Sequence, residues 1–250
     1  MKRFIRQVNC REHFEETKRS APFILVKYQL DYESDEADHI KIDELLEKAQ
    51  RLAEHVNPHP ANANEQIRDP NTILANAIAG VVSEYYWRDF LNLGKEELVR
   101  EPEFDEAANQ IDLETVNGGK RIEVRSSFPR NGISFALCHP EHQFDILGPY
   151  VNNTYKPGEI RKEFYVRTLF EAENPVDIID NIKKDGFSLF LTGGATLSMM
   201  KTKGIYLKKR LLPEDALNAA GQAFYRVVPF SRALDTFQIK AIIQQSSLNL

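Results

Sequence analysis

Asp112 and Glu123 are the side chains best placed to do chemistry, and what places them is the stretch Ile111 to Ser127, IDLETVNGGKRIEVRSS. Two short apolar/polar alternations flank Asn117-Gly118, the dipeptide that most readily fills the two left-handed central positions of a type I′ turn. The stretch therefore reads as a β-hairpin. With Asn117 and Gly118 as the loop, Glu114 faces Arg121 and Asp112 stands directly opposite Glu123. Like charges opposed across a strand pair are destabilising, and a divalent cation bound by hard oxygen donors offsets that repulsion. The same alternation puts Arg121, Glu123 and Arg125 on one face and Ile122 and Val124 on the other. Alternatives stay open: a Gly118-Gly119 loop pairs Glu114 with Glu123 and Asp112 with Arg125, and a three-residue loop shifts the faces altogether. A solvated hairpin with ordinary surface pairs, Glu114 to Arg121 and Glu123 to Arg125, needs no metal at all.

Asp112 followed, after ten intervening residues, by Glu123-Val124-Arg125 resembles the active-site hairpin of the PD-(D/E)XK nuclease superfamily, the fold of many type II restriction endonucleases. Upstream, Gly80-Val81-Val82-Ser83-Glu84 inside an apolar helical pattern resembles the Gly-x-x-x-Glu helix that often precedes that hairpin. The likeness covers about the middle third of the chain. It implies Mg²⁺ held by Asp112, Glu123 and the backbone carbonyl of Val124, with Arg125 and Glu84 completing the catalytic set, and hydrolysis of double-stranded DNA. It also implies a restriction-type enzyme working as a homodimer, since two cuts across a symmetric site call for two copies of the chain. Arg125 departs from the pattern, because the family usually has lysine there. An ammonium can lose its proton and a guanidinium effectively cannot, so Arg125 is expected to neutralise charge on the pentavalent phosphate. The alternative function is a nuclease-like nucleic-acid-binding module that has lost cleavage, and Arg125 is its motive.

The densest basic stretch is Lys201, Lys203, Lys208, Lys209 and Arg210, with Tyr206 among them. On a nuclease it would meet phosphates, as would Arg130 just past the hairpin; basic strands also often simply face solvent. Cys10-x-x-His13 and Cys138-His139-x-x-His142 offer four nitrogen and sulfur donors for zinc, in spacings that form no strong pattern. His55 and His59 are separated by Pro58, which breaks the helix that would align them. Gly193-Gly194-Ala195-Thr196 lacks a P-loop lysine. No G-x-S-x-G elbow appears, and Ser126-Ser127 has no evident histidine partner.

Stepping these residues into position calls for an α/β chain, an α+β sandwich in which helices flank a mixed central sheet. The expected organisation is a single domain over 1–250. Its nuclease-like core spans about 70–192, with an N-terminal elaboration over 1–69 and a C-terminal one over 193–250. The first twenty residues suggest an irregular or helical arm, and Phe23 to Leu30 a strand. Ile42 to Val56 recur at helical spacing. Asp69-Pro70 opens a second helix that runs towards Asn92, and Asn57 to Asn64 is a loop. Strands follow over Ile133–Cys138, Phe144–Tyr150, Phe164–Phe170, Phe187–Leu191, Gly204–Lys208 and Ala223–Val228. The strand from Phe187 is expected to stop at Thr192-Gly193-Gly194. A short helix over Val176–Ile182, one beginning near Pro213 and a final apolar piece through Ile242-Ile243 complete the pattern.

With 250 residues and 42% hydrophobic content the chain can bury a sizeable core. No apolar run reaches the ~18 residues a membrane helix needs, and the start lacks a signal-peptide stretch. Two cysteines give no disulfide framework, which together predict a cytoplasmic protein with no membrane partner. The net charge of -5 does not advertise a nucleic-acid binder. Its distribution says more: the last hundred residues hold 14 Lys and Arg against 10 Asp and Glu, net +4. The first 150 hold 18 against 27, net -9.

Overall fold

The computed structural model describes residues 1–8, 23–56, 68–94, 97–102, 112–128, 137, 145–151, 160–172, 174–210 and 224–248. Among them the strands are β1 (Lys2–Val8), β2 (Phe23–Gln29), β3 (Val99–Arg100), β4 (Leu113–Thr115), β5 (Arg121–Ser127), β6 (Asp145–Tyr150), β7 (Phe164–Phe170), β8 (Ser188–Thr196), β9 (Leu207–Arg210) and β10 (Phe224–Pro229). The helices are α1 (Glu36–His55), α2 (Pro70–Leu91), α3 (Ile178–Asn181) and α4 (Thr236–Leu248). Seven strands form a mixed sheet in the order β1-β2-β8-β7-β5-β4-β3. The other three form a small antiparallel sheet, β6-β10-β9. In the large sheet β5 and β7 run parallel, Glu123 beside Tyr165 and Arg125 beside Arg167, and every other neighbouring pair is antiparallel.

Alternation along the central strands decides what covers each face. Ile122 and Val124 of β5 and Phe164, Val166 and Phe170 of β7 point into one apolar cluster with α1, α2, α3 and α4. Tyr165 and Leu169 of β7 point the other way, into a second cluster with Ile146 and Val228 of the small sheet. The result is a helix layer, a seven-stranded sheet and a second sheet, which bears out the expected α/β class. No helix among the described residues is long and apolar enough to cross a membrane.

Helix α2 lies beneath the hairpin and is fixed at both ends. Asp69 caps its start, accepting from the Thr72 N–H at 3.0 Å, with Pro70 in the first turn where its missing N–H costs nothing. Asn92 closes the far end and joins it to the sheet: its side chain accepts from Leu98 N and Val99 N and donates to Val99 O. Buried Lys240 of α4 adds a cap, its Nζ donating to Phe90 O at 2.6 Å and Leu93 O at 3.0 Å, where helix carbonyls concentrate negative charge.

Three expectations need correction. The N-terminal residues form an edge strand rather than an irregular or helical arm, paired along its whole length with β2. β1 is mostly exposed and bears Lys2, Arg3 and Arg6, charges that discourage further pairing at a sheet edge. Second, β8 does not stop at Thr192-Gly193-Gly194 but runs through it. A Cβ on Gly194 would lie 2.4 Å from Tyr165 O, and one on Gly193, at φ +85°, 2.1 Å from Leu234 O. These glycines admit neighbouring backbone; they cradle no phosphate. Third, β6 belongs to the small sheet and not to the central one. Of the strand expected over Ile133–Cys138 only Leu137 is described, buried and helical. The loop over 57–64 and the helix near Pro213 lie outside the described residues.

Candidate active site

The hairpin has the register that opposes the two carboxylates. Leu113 pairs with Ile122 and Glu114 with Arg121, and extending that register by one position sets Asp112 across from Glu123. The turn, however, differs from the expected two-residue loop. The Thr115 N–H donates to Lys120 O at 2.9 Å, and Gly118 and Gly119 take the positive φ values of 82° and 54°. Four residues, 116 to 119, therefore close the loop, and the Thr115 hydroxyl steadies it by accepting from Lys120 N and donating to Asn117 O. Lengthening the loop by one residue on each side leaves the register intact, which is why the facing pairs are as expected.

β4 begins at Leu113, and Asp112 turns its carboxylate onto the next position of β5. Its Oδ2 accepts the Val124 N–H at 2.6 Å. In an extended strand the N–H and C=O of one residue point to the same edge, so the Val124 carbonyl also looks towards Asp112. Asp112, Glu123 and the Val124 carbonyl thus converge at one end of β4. All three donors are hard oxygens, the set that suits Mg²⁺ and leaves further coordination positions to water or phosphate. Among the described residues no group of three or more His, Cys, Asp or Glu side chains forms a metal cage. Cys10, His13, Cys138 and His142, the zinc alternative, lie outside the described residues, as does His59.

Glu84 comes from α2, beneath β5. Burial and the nearby Asp112 charge raise its pKa well above the ordinary carboxylate range, against the pull of Lys48. Asp112 is raised as well, by burial and by Glu123, with the Val124 hydrogen bond, Arg125 and Lys162 opposing. Three acidic groups therefore crowd one place. Glu123, buried, is offset by two cations: Arg125 Nη2 lies 2.5 Å from Oε1 and Lys162 Nζ 2.6 Å from Oε2. Beside Glu84 a further network ties Glu101 to Lys48 and Arg88, each at 2.8 Å.

Lys162 is the site residue that sequence reasoning missed. It precedes β7, and its side chain, 2% exposed, reaches back along the sheet to Glu123. A lysine in the polar run Arg161-Lys162-Glu163 ahead of a strand gives no local sign of burial. Only the parallel pairing of β5 with β7, a contact between distant segments, brings it in. Arg167 was also missed. It stands beside Arg125 on β7, donates from Nε and Nη2 to Ser127 Oγ, and from Nη1 to the Asp145 carbonyl of the small sheet. Burial lowers its pKa, and the Arg125 charge adds to that.

The structure thus gathers Asp112, Glu123, Val124, Arg125 and Glu84. The basic stretch stands apart from them. Lys201 and Lys203 are exposed after β8, and Lys208 is exposed on β9, an edge strand of the small sheet. Lys209 and Arg210 continue β9, with side chains outside the described set, and Arg130 lies outside it entirely. The chain matches no family model, no curated protein and no solved structure.

Proposed function

We propose that the chain is a Mg²⁺-dependent endonuclease that hydrolyses phosphodiester bonds of double-stranded DNA, a restriction-type enzyme acting as a homodimer. The observation that carries this reading is the convergence of Asp112, Glu123 and the Val124 carbonyl in one hairpin register, with two cations against Glu123. A bound Mg²⁺ would polarise the scissile phosphate and lower the pKa of an attacking water. Around it the chain's own residues have separate tasks. Asp112 and Glu123 hold the ion, and Glu84 adds negative charge from the helix side. Arg125 offsets charge on the phosphate, and Lys162 holds Glu123 in place. Lys162 also supplies the titratable ammonium that Arg125 is not.

The alternative, a nuclease-like module that binds without cutting, rests on Arg125 standing where lysine is usual; an ammonium at Lys162, on the same carboxylate, weakens that motive. Incubation with a long mixed-sequence duplex, in Mg²⁺ and in EDTA, decides between them. Discrete fragments in Mg²⁺ alone support a site-specific endonuclease, and a smear an unspecific one. An intact duplex in both conditions leaves the binding module.

A further inference from the structure

Glu123 holds a cation on each carboxylate oxygen, and the two cations differ in how readily they can leave. The Lys162 side chain is 2% exposed and that of Arg125 is 35% exposed. The segment carrying Lys162 is tied down on three sides. The Lys162 N–H donates to the Tyr165 hydroxyl at 3.3 Å, and neighbouring Glu163 bonds Arg121 through both its N–H and its carboxylate. The Glu163 carbonyl in turn accepts from Leu197 N. Arg125 instead stands beside Arg167, whose guanidinium is held by Ser127 and Asp145 and whose charge opposes its own.

A carboxylate with both oxygens bonded to cations ligates a metal ion only when one of them gives way. Withdrawing a buried ammonium from its partner strands a charge in a dry interior, whereas a half-exposed guanidinium turns towards water at small cost. Resting on the nuclease reading above, we infer that Arg125 is a metal-released phosphate clamp: a divalent ion at Glu123 displaces the guanidinium from Oε1 and delivers it to a substrate phosphate, while Lys162 stays on Oε2. The forked donors of arginine suit two phosphate oxygens, which gives a reason for arginine at this position. Metal and DNA binding are then positively coupled through one side chain, and the coupling is reciprocal.

The test is duplex affinity of wild type and Arg125→Gln, measured with a short mixed-sequence duplex in EDTA and in Ca²⁺. Loss of one charge-assisted hydrogen bond is expected to weaken binding about tenfold in Ca²⁺, and less than about twofold in EDTA. Arg125→Lys, which keeps the charge without the fork, is expected to fall between wild type and Arg125→Gln in Ca²⁺, and it carries the test if the glutamine variant does not fold. An equal loss in both conditions means a permanent phosphate contact and overturns the inference, as does no loss in Ca²⁺. Wild type that takes up no Ca²⁺ overturns the metal site itself; wild type that binds Ca²⁺ and duplex, with a condition-independent variant, overturns the clamp alone.

Discussion

Lys162→Met should destabilise the metal-free protein well beyond an ordinary lysine substitution. Methionine keeps the length and apolar body of the side chain, so the change removes the charge and little else. The ammonium is almost wholly buried, 2.6 Å from Glu123 Oε2, and breaking a buried ion pair by deleting one partner typically costs about 3–5 kcal/mol. Arg125 remains on Oε1, and the carboxyl can relieve itself by taking up a proton, so the expected cost is about 2–3 kcal/mol. For a chain of this size that lowers Tm by about 5–10 °C. Arg125→Met, at a half-exposed position, should cost under about 1 kcal/mol. The double variant Lys162→Met with Glu123→Gln removes both charges and should recover part of the loss, a departure from additivity that a double-mutant cycle reads directly. Thermal or urea unfolding of the four proteins at neutral pH in EDTA is the assay. A Lys162→Met protein as stable as Arg125→Met, or a strictly additive cycle, would refute the buried pair.

Two further outcomes follow from groups at either end of α2. Glu84 has a folded pKa raised above its unfolded value, to about 8, so the native state binds its proton more tightly than the unfolded state does. Near pH 4 and below both states are protonated and the group has no effect; as pH rises towards 8 the native state becomes progressively less stable. In EDTA the Tm difference between Glu84→Gln and wild type should therefore grow in favour of the variant from pH 5 to pH 8.5, and Mg²⁺ should shrink it; a difference that is flat with pH contradicts the crowding of carboxylates. Lys240→Met removes the ammonium that caps Phe90 and Leu93 carbonyls and should cost about 1–3 kcal/mol, read by urea unfolding, whereas a change below about 0.5 kcal/mol would show that water replaces the cap.

The parts of this structure legible in the sequence are those set by local chemistry. Asp69-Pro70 announced the start of α2, and β7 occupies the expected Phe164–Phe170. The facing pair Glu114 and Arg121 could be read from the turn dipeptide, even though the left-handed positions fell on Gly118 and Gly119. What could not be read depends on distant partners. β1 is held by its pairing with β2 and shows no apolar pattern of its own, because an exposed edge needs none. Gly193-Gly194 looks like a strand end, and only the approach of Tyr165 O and Leu234 O explains two glycines inside β8. The carboxylate half of the site was legible in one hairpin, whereas Lys162 enters from a segment that meets β5 only through the parallel ladder.

The account stands on Asp112 and Glu123 forming one divalent-cation site, and a Mn²⁺ titration of metal-free protein tests that most directly. Wild type should show a saturable Mn²⁺ site. In Asp112→Asn that site should be lost or weakened by at least about tenfold, with an undiminished thermal transition, because one of two charged ligands is gone while the hydrogen bond to Val124 N can persist. Wild type without a saturable site, or Asp112→Asn binding Mn²⁺ as wild type does, would contradict the account.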